Sequence, residues 1–114
     1  MIWIRVGALV MFFGVALGAF GAHGLKSVLS AEAKQVYQTG VLYHLVHALA
    51  VLGIALGAAR LRRARVIAGL FTAGVVLFSG SLYLMALTGA TALGAVTPVG
   101  GLCFLAGWAL LFFS

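Results

Sequence analysis

Arg60-Leu61-Arg62-Arg63-Ala64-Arg65 is the densest run of charge in the chain and holds four of its eight charged residues. Residues 35–59 before it and 66–114 after it carry no charge at all. Arg5, Lys26, Glu32 and Lys34 complete the set and leave a third uncharged stretch at 6–25. A helix rising ~1.5 Å per residue needs about 20 apolar residues to cross a hydrocarbon core about 30 Å thick. Stretches 6–25 and 35–59 each suit one crossing, and 66–114 is long enough for two. Its break falls at Thr88-Gly89 and at Gly94 to Thr97-Pro98, with Thr97 expected as an N-cap and Pro98 at the first helical position. These signals predict spans at about 3–22, 39–59, 66–88 and 98–113. The spans are helices, because lipid cannot satisfy an open backbone and four short segments cannot close a barrel.

Composition agrees. Of 114 residues, 65% are hydrophobic and only 7% charged, with a mean hydropathy of +1.26. A soluble domain is about a quarter charged, so a water-soluble globule is excluded. Seven Lys/Arg against one acid would attract nucleic acid only with a soluble basic face, which is missing, so no nucleic-acid partner is expected. The single cysteine, Cys103, excludes an intramolecular disulfide, a CxxC pair and a cysteine zinc site. The apolar N-terminal run leads into more membrane rather than a soluble mature domain, and so reads as a retained first span.

The fold expected is an all-α integral membrane protein, a four-transmembrane-helix bundle with both termini inside. The basic turn of Arg60, Arg62, Arg63 and Arg65 stays on the cytoplasmic side by the positive-inside rule. Four spans then bring Arg5 and both termini to that side, leaving Lys26, Glu32, Lys34 and the 89–97 loop outside. Trp3 would mark the inner interface, with Tyr37 and Tyr43 toward the outer one. The bacterial cytoplasmic (inner) membrane is the location expected.

Residues 24–37 form the one connection polar enough to leave the membrane. Ser30 is a good N-cap and Glu32 suits the first turn of a helix. The segment reads as an amphipathic helix that lies at the outer interface or runs straight into the second span. Gly14, Gly18 and Ala22 make a small-residue stripe on the first span, and further glycines dot the other three. Such residues let helices approach closely in lipid, within one chain or against a second copy, so a homo-oligomer is an open expectation. Ser79-Gly80-Ser81 is expected to bend the third span.

The polar side chains that could carry function are few. His23, His44 and His47 are the only groups whose ordinary titration lies near neutrality. On the predicted span, His44 and His47 share a face about 7 Å and about 12 Å below its outer end. Ser79, Ser81 and Tyr83 reach similar depths, and His23 and Thr97 sit at outer helix ends. The expected pocket is therefore His23, Tyr43, His47, Ser79, Ser81, Tyr83 and Thr97, in the outer half of the membrane. The three histidines are weak metal candidates, without HxxxH or HExxH spacing, so no metal or other cofactor is expected. No span carries a carboxylate, which argues against a proton-driven cation exporter. Without a nucleophile–base arrangement, a phosphate loop or paired carboxylates, no enzyme is expected.

Several motifs together resemble a known family. They are Gly18-Ala-Phe-Gly-Ala-His-Gly24, Tyr43 with His47-Ala-Leu-Ala50, Phe78-Ser-Gly-Ser-Leu-Tyr83, Leu87-Thr-Gly89, Thr97-Pro-Val-Gly-Gly101 and Gly107-Trp108. In this order, over nearly the whole chain, they resemble the family called domain of unknown function 423, whose eukaryotic branch is transmembrane protein 256. The resemblance implies a four-span inner-membrane protein and implies no activity, substrate or cofactor. The family pattern on the second span carries Gln and Tyr where this chain has His44 and Val46. That departure weakens a His44–His47 metal pair and favours His47 and His23 as the positions to test.

The sequence thus points to a small non-catalytic membrane protein whose polar pocket packs a homo-oligomer or holds a membrane-lipid head group. A channel or transporter with a His-gated site is the competing reading, and a metal or haem site a third. Against transport stands the lack of polar residues continuing through the inner half.

Overall fold

A computed structural model describes residues 2–114 as helices joined by tight turns. The first helix, α1 (Ile2–His23), ends where Gly24 and Leu25 both hydrogen-bond back to the Phe20 carbonyl. Leu25 then folds inward and is buried. Ser30 accepts a hydrogen bond from the Ala33 amide at 3.1 Å and so caps α2 (Ala31–Leu56), with Glu32 in the first turn as expected. Of the two forms expected for the 24–37 connection, the chain takes the one that runs straight into the span. The second helix therefore begins at Ala31 rather than near residue 39.

After Gly57 a short 3-10 turn, Ala58–Arg60, leads into the basic loop. Arg63 takes a left-handed conformation there, φ 58°, immediately before α3 (Ala64–Gly74). A π turn, Val75–Ser79, joins α3 without a break to α4 (Gly80–Thr88). The helix is irregular at Val75–Ser79, a π turn that runs up to the Ser79-Gly80-Ser81 stretch where a bend was expected. Gly89 closes α4 at φ 72°, its amide bonded to the Met85 carbonyl, which is glycine's usual place after a helix. The 89–97 segment contains a 3-10 turn, Thr91–Ala95, before α5 (Thr97–Phe112). Thr97 does not cap α5. Val96 holds that position, and Thr97 lies inside the first turn with its hydroxyl directed to Ser81.

Four helical segments, Ile2–His23, Ala31–Leu56, Ala64–Thr88 and Thr91–Phe112, are long and apolar enough to cross a membrane. No strand occurs among the described residues. The helices form a row more than a square bundle. α1 lies on α2, α2 on α3 and α4, and α5 on α3 and the π turn. The molecule measures 46 × 26 × 17 Å. One core joins Val51, Ile54, Ile67, Ala68, Phe71, Val75 and Phe104, with Trp3 and Leu61 packed against it. A second, at the other end, joins Leu25, Tyr37, Tyr83 and Ala86. Phe12, Val76, Leu102 and Leu105 are all more than 60% exposed, an outward apolar face that lipid covers.

Two contacts set the ends. Trp3 meets Gly69 and the Ile67 core, and the Ser114 hydroxyl donates to the Arg62 carbonyl at 3.0 Å. Both chain ends therefore share one end of the row with the basic turn. Tyr37 is 2% exposed, because Gly21 lets its ring pack against α1.

Candidate functional site

α2 carries both of the buried histidines. His44 lies near the middle of the helix, and His47 is nine residues, ~13 Å, from Leu56 at the basic end. The polar residues do not form a single pocket. They separate into distinct groups.

His44 is one. Its Nε2 lies 2.7 Å from the Val10 carbonyl, which can only accept, so that nitrogen carries the hydrogen. Its Nδ1, 2.8 Å from the Tyr83 hydroxyl, is then the acceptor and Tyr83 the donor. One ring thus ties α2 to α1 and to α4. Gly14 permits the approach, since a Cβ there would meet His44 Cδ2 at 3.1 Å and Leu45 Cδ2 at 2.8 Å. Beside it, the fully buried Ser79 donates to the Gly40 carbonyl at 2.7 Å, and the Tyr37 hydroxyl donates to the Leu17 carbonyl. Gly14 and Gly18 of the small-residue stripe face His44, Leu45 and Val41 of α2, so they serve packing within one chain.

His47 is the other, with the opposite tautomer. Its Nδ1 donates to the Tyr43 carbonyl at 2.8 Å, and its Nε2 accepts from the Trp108 indole N–H at 3.0 Å. The ring stacks on Phe104 at 3.6 Å between centroids, with Phe71 at its edge. Both histidines are buried, and both use each ring nitrogen inside the protein. No buried side-chain nitrogen or oxygen among the described residues lacks a hydrogen-bond partner.

Next to His47 a groove of about 530 Å³ opens between α2 and α5. Tyr43, His47, Phe78, Phe104 and Trp108 form its aromatic wall, and Pro98, Gly101, Leu102 and Leu105 complete it. Of the seven residues expected to share a pocket, only Tyr43 and His47 meet here. Ser81 bonds Thr97 at 2.6 Å and so ties α4 to the start of α5. Ser79 and Tyr83 belong with Gly40 and His44. His23 is exposed and bonds the Ala19 carbonyl of its own helix, apart from His47. His44, given less weight than His23 because of the family pattern, is the more connected residue. No group of three His, Cys, Asp or Glu that could hold a metal ion occurs among the described residues. Arg60, Arg62, Arg63 and Arg65 are all exposed in the basic turn.

Comparison with known proteins follows the same lines. The family model described as "Protein of unknown function (DUF423)" matches residues 17–101. The chain belongs to the DUF423 family. Its relatives include the UPF0382 membrane protein YwdK of Bacillus subtilis (strain 168), 43% identical over 113 residues, which cover 96% of this chain and 92% of the relative. The UPF0382 inner membrane protein YgdD of Escherichia coli (strain K12) is 49% identical over 104 residues, 88% of this chain and 78% of the relative. A UPF0382 membrane protein of Haemophilus influenzae is 44% identical over 107 residues, 93% and 86% of the two chains. No solved structure matches. The family membership that the motifs implied is thus shown, and with it a multi-pass helical membrane protein. In this DUF423 chain the family match ends at Gly101, so Phe104 and Trp108, which complete the His47 tie, lie beyond it.

Sequence reasoning missed Val10, Gly40, Phe104 and Trp108. The first two act through backbone carbonyls, which no residue type announces. Trp108 could be found only from the relative depth of α2 and α5.

Proposed function

We propose that this DUF423 protein is a non-catalytic protein of the bacterial cytoplasmic membrane. It holds one hydrocarbon chain of a membrane lipid in the α2–α5 groove, and its histidines serve as ties between helices. The observation that supports this is the mutual engagement of His47 and Trp108. Their polar atoms face each other, and what they leave toward the groove is ring surface. An aromatic and aliphatic wall recognises a chain by area and shape, at about 25 cal/mol for each Å² covered, and offers no base or nucleophile to a reaction. The lipid head group given to the polar cluster on sequence grounds finds no open polar group at His47.

The test is to fill the groove. A Cβ at Gly101 would stand 3.9 Å from Phe78, ordinary contact, so Gly101→Leu adds bulk without forcing the helices apart. Native mass spectra from mild detergent should show Gly101→Leu retaining one lipid fewer than the wild type at equal thermal stability. Equal retention in both would overturn the reading. The same spectra report subunit number and so test the expected homo-oligomer.

A further inference from the structure

On the far side of α2, two hollows join into one continuous groove between α1, α2 and the turn that links them. The end hollow, about 330 Å³, is lined by Lys26, Leu29 and Lys34. The inner hollow, about 260 Å³, is lined by Gly18, Val41, Leu42 and Leu45. Gly21, Ala22, Tyr37 and Gln38 line both and make them continuous.

The chemistry changes along this groove in the order of a phospholipid. The end hollow draws on two lysines, Lys26 and Lys34, and on Gln38. Glu32, the one acid of the chain, lines a separate hollow with Ser30, Met85 and Thr91, so it does not occupy this mouth. Further in, the walls are aliphatic, and the tyrosine hydroxyl that could have made them polar is turned to the Leu17 carbonyl. Gly21 lets the Tyr37 ring pack against α1, since a Cβ there would collide with it, and this close contact closes the floor of the groove. From Lys34 to Leu45 is eleven residues, ~16 Å along α2, close to half of a hydrocarbon core about 30 Å thick. A head-to-chain ligand one leaflet deep fits that length, and two lysines without an acid select negative charge.

We infer that this groove is a binding site for an anionic glycerophospholipid, with its phosphodiester at Lys26 and Lys34 and one acyl chain along Val41, Leu42 and Leu45. The site uses no residue of the α2–α5 groove and stands at the opposite end of the row from the basic turn. It therefore adds head-group selectivity that the chain-holding groove lacks, and either site can exist without the other.

The experiment titrates the full-length protein in nanodiscs or mild detergent with phosphatidylglycerol and, separately, phosphatidylcholine of matched chains, read by native mass spectrometry. The wild type should prefer phosphatidylglycerol. A surface lysine contributes about fivefold in attraction to anionic lipid, so Lys26→Gln with Lys34→Gln should reduce that preference by roughly 25-fold while leaving thermal stability unchanged. Leu42→Trp, which fills the exposed edge of the inner hollow, should weaken both lipids alike. Gly101→Leu should leave the preference intact, which separates this site from the α2–α5 groove. Inorganic phosphate at millimolar concentration should fail to compete. A preference unchanged in the double lysine variant would overturn the proposal by assigning it to the arginine turn. Competition by phosphate alone would overturn it by showing an ion site without a chain.

Discussion

Gly14 and His44 form one contact unit across the α1–α2 crossing. The missing side chain at 14 brings the His44 ring within 2.7 Å of the Val10 carbonyl one turn away. Val10 already serves its own helix, so this carbonyl accepts a second hydrogen bond. Gly14→Val should push Leu45 and His44 outward and destabilise the protein by about 1–3 kcal/mol, the usual cost of forcing bulk into a packed contact. Gly53, with open space around its Cα, is the control, and Gly53→Val should stay within about 0.5 kcal/mol of wild type. Unfolding in mixed detergent micelles measures both.

The His44–Tyr83 bond should appear as coupling. His44→Phe and Tyr83→Phe, separately and together, form a double-mutant cycle. Bonds of this kind between membrane helices average about 0.6 kcal/mol and reach about 1.7. A coupling in that range is expected, and strictly additive losses would show that the two side chains do not interact in the membrane.

Adjacent glycines on α5 should behave oppositely. Gly100 lies directly against the backbone of Phe78 in the π turn, where any Cβ would overlap main-chain atoms that have nowhere to move. Gly100→Ala should therefore cost about 1–3 kcal/mol, whereas Gly101→Ala, facing the groove, should be within about 0.5 kcal/mol of wild type. Thermal melts of the two variants decide it. Similar melting points would mean that α5 does not dock on the π turn.

Charge and length made the number of helices legible, because each charged cluster cannot enter lipid and each gap between clusters fits a whole number of spans; the break within 66–114 came from Gly and Pro turn chemistry. Ser30, Glu32 and Gly89 announced their turns through residue type. The 31–38 stretch was harder. Its Lys34, Gln35 and Gln38 look extramembranous, yet they form the projecting end of a continuous helix. The candidate pocket was the least legible part. Six of its seven residues do face a partner on another helix or line the α2–α5 groove, but which partner depends on how far one helix slides past the next. That register is set by shape at Gly14, Gly40 and Gly100, not by polarity. His23 failed for a local reason, since Nδ1 satisfies itself on the Ala19 carbonyl of its own turn.

The orientation across the membrane follows from the four arginines of the turn, which should remain cytoplasmic together with both chain ends. In a Cys103→Ser background, Ser27→Cys should react with a membrane-impermeant maleimide added to intact spheroplasts. Ser114→Cys should react only after the membrane is opened. The reverse pattern would place the basic turn outside.

That both buried histidines are engaged inside the protein is the premise on which the lipid reading rests, and it has a direct spectroscopic signature. Their bonds demand opposite tautomers, hydrogen on Nε2 in His44 and on Nδ1 in His47. Imidazole ¹⁵N spectra of the protein in micelles, assigned with His44→Phe and His47→Phe, should show one fixed neutral ring of each kind, with the His47 Nε2 signal moving in Trp108→Phe. Two rings of the same tautomer, or either ring averaging between forms, would contradict it and return the histidines to the list of groups open to a ligand or a proton.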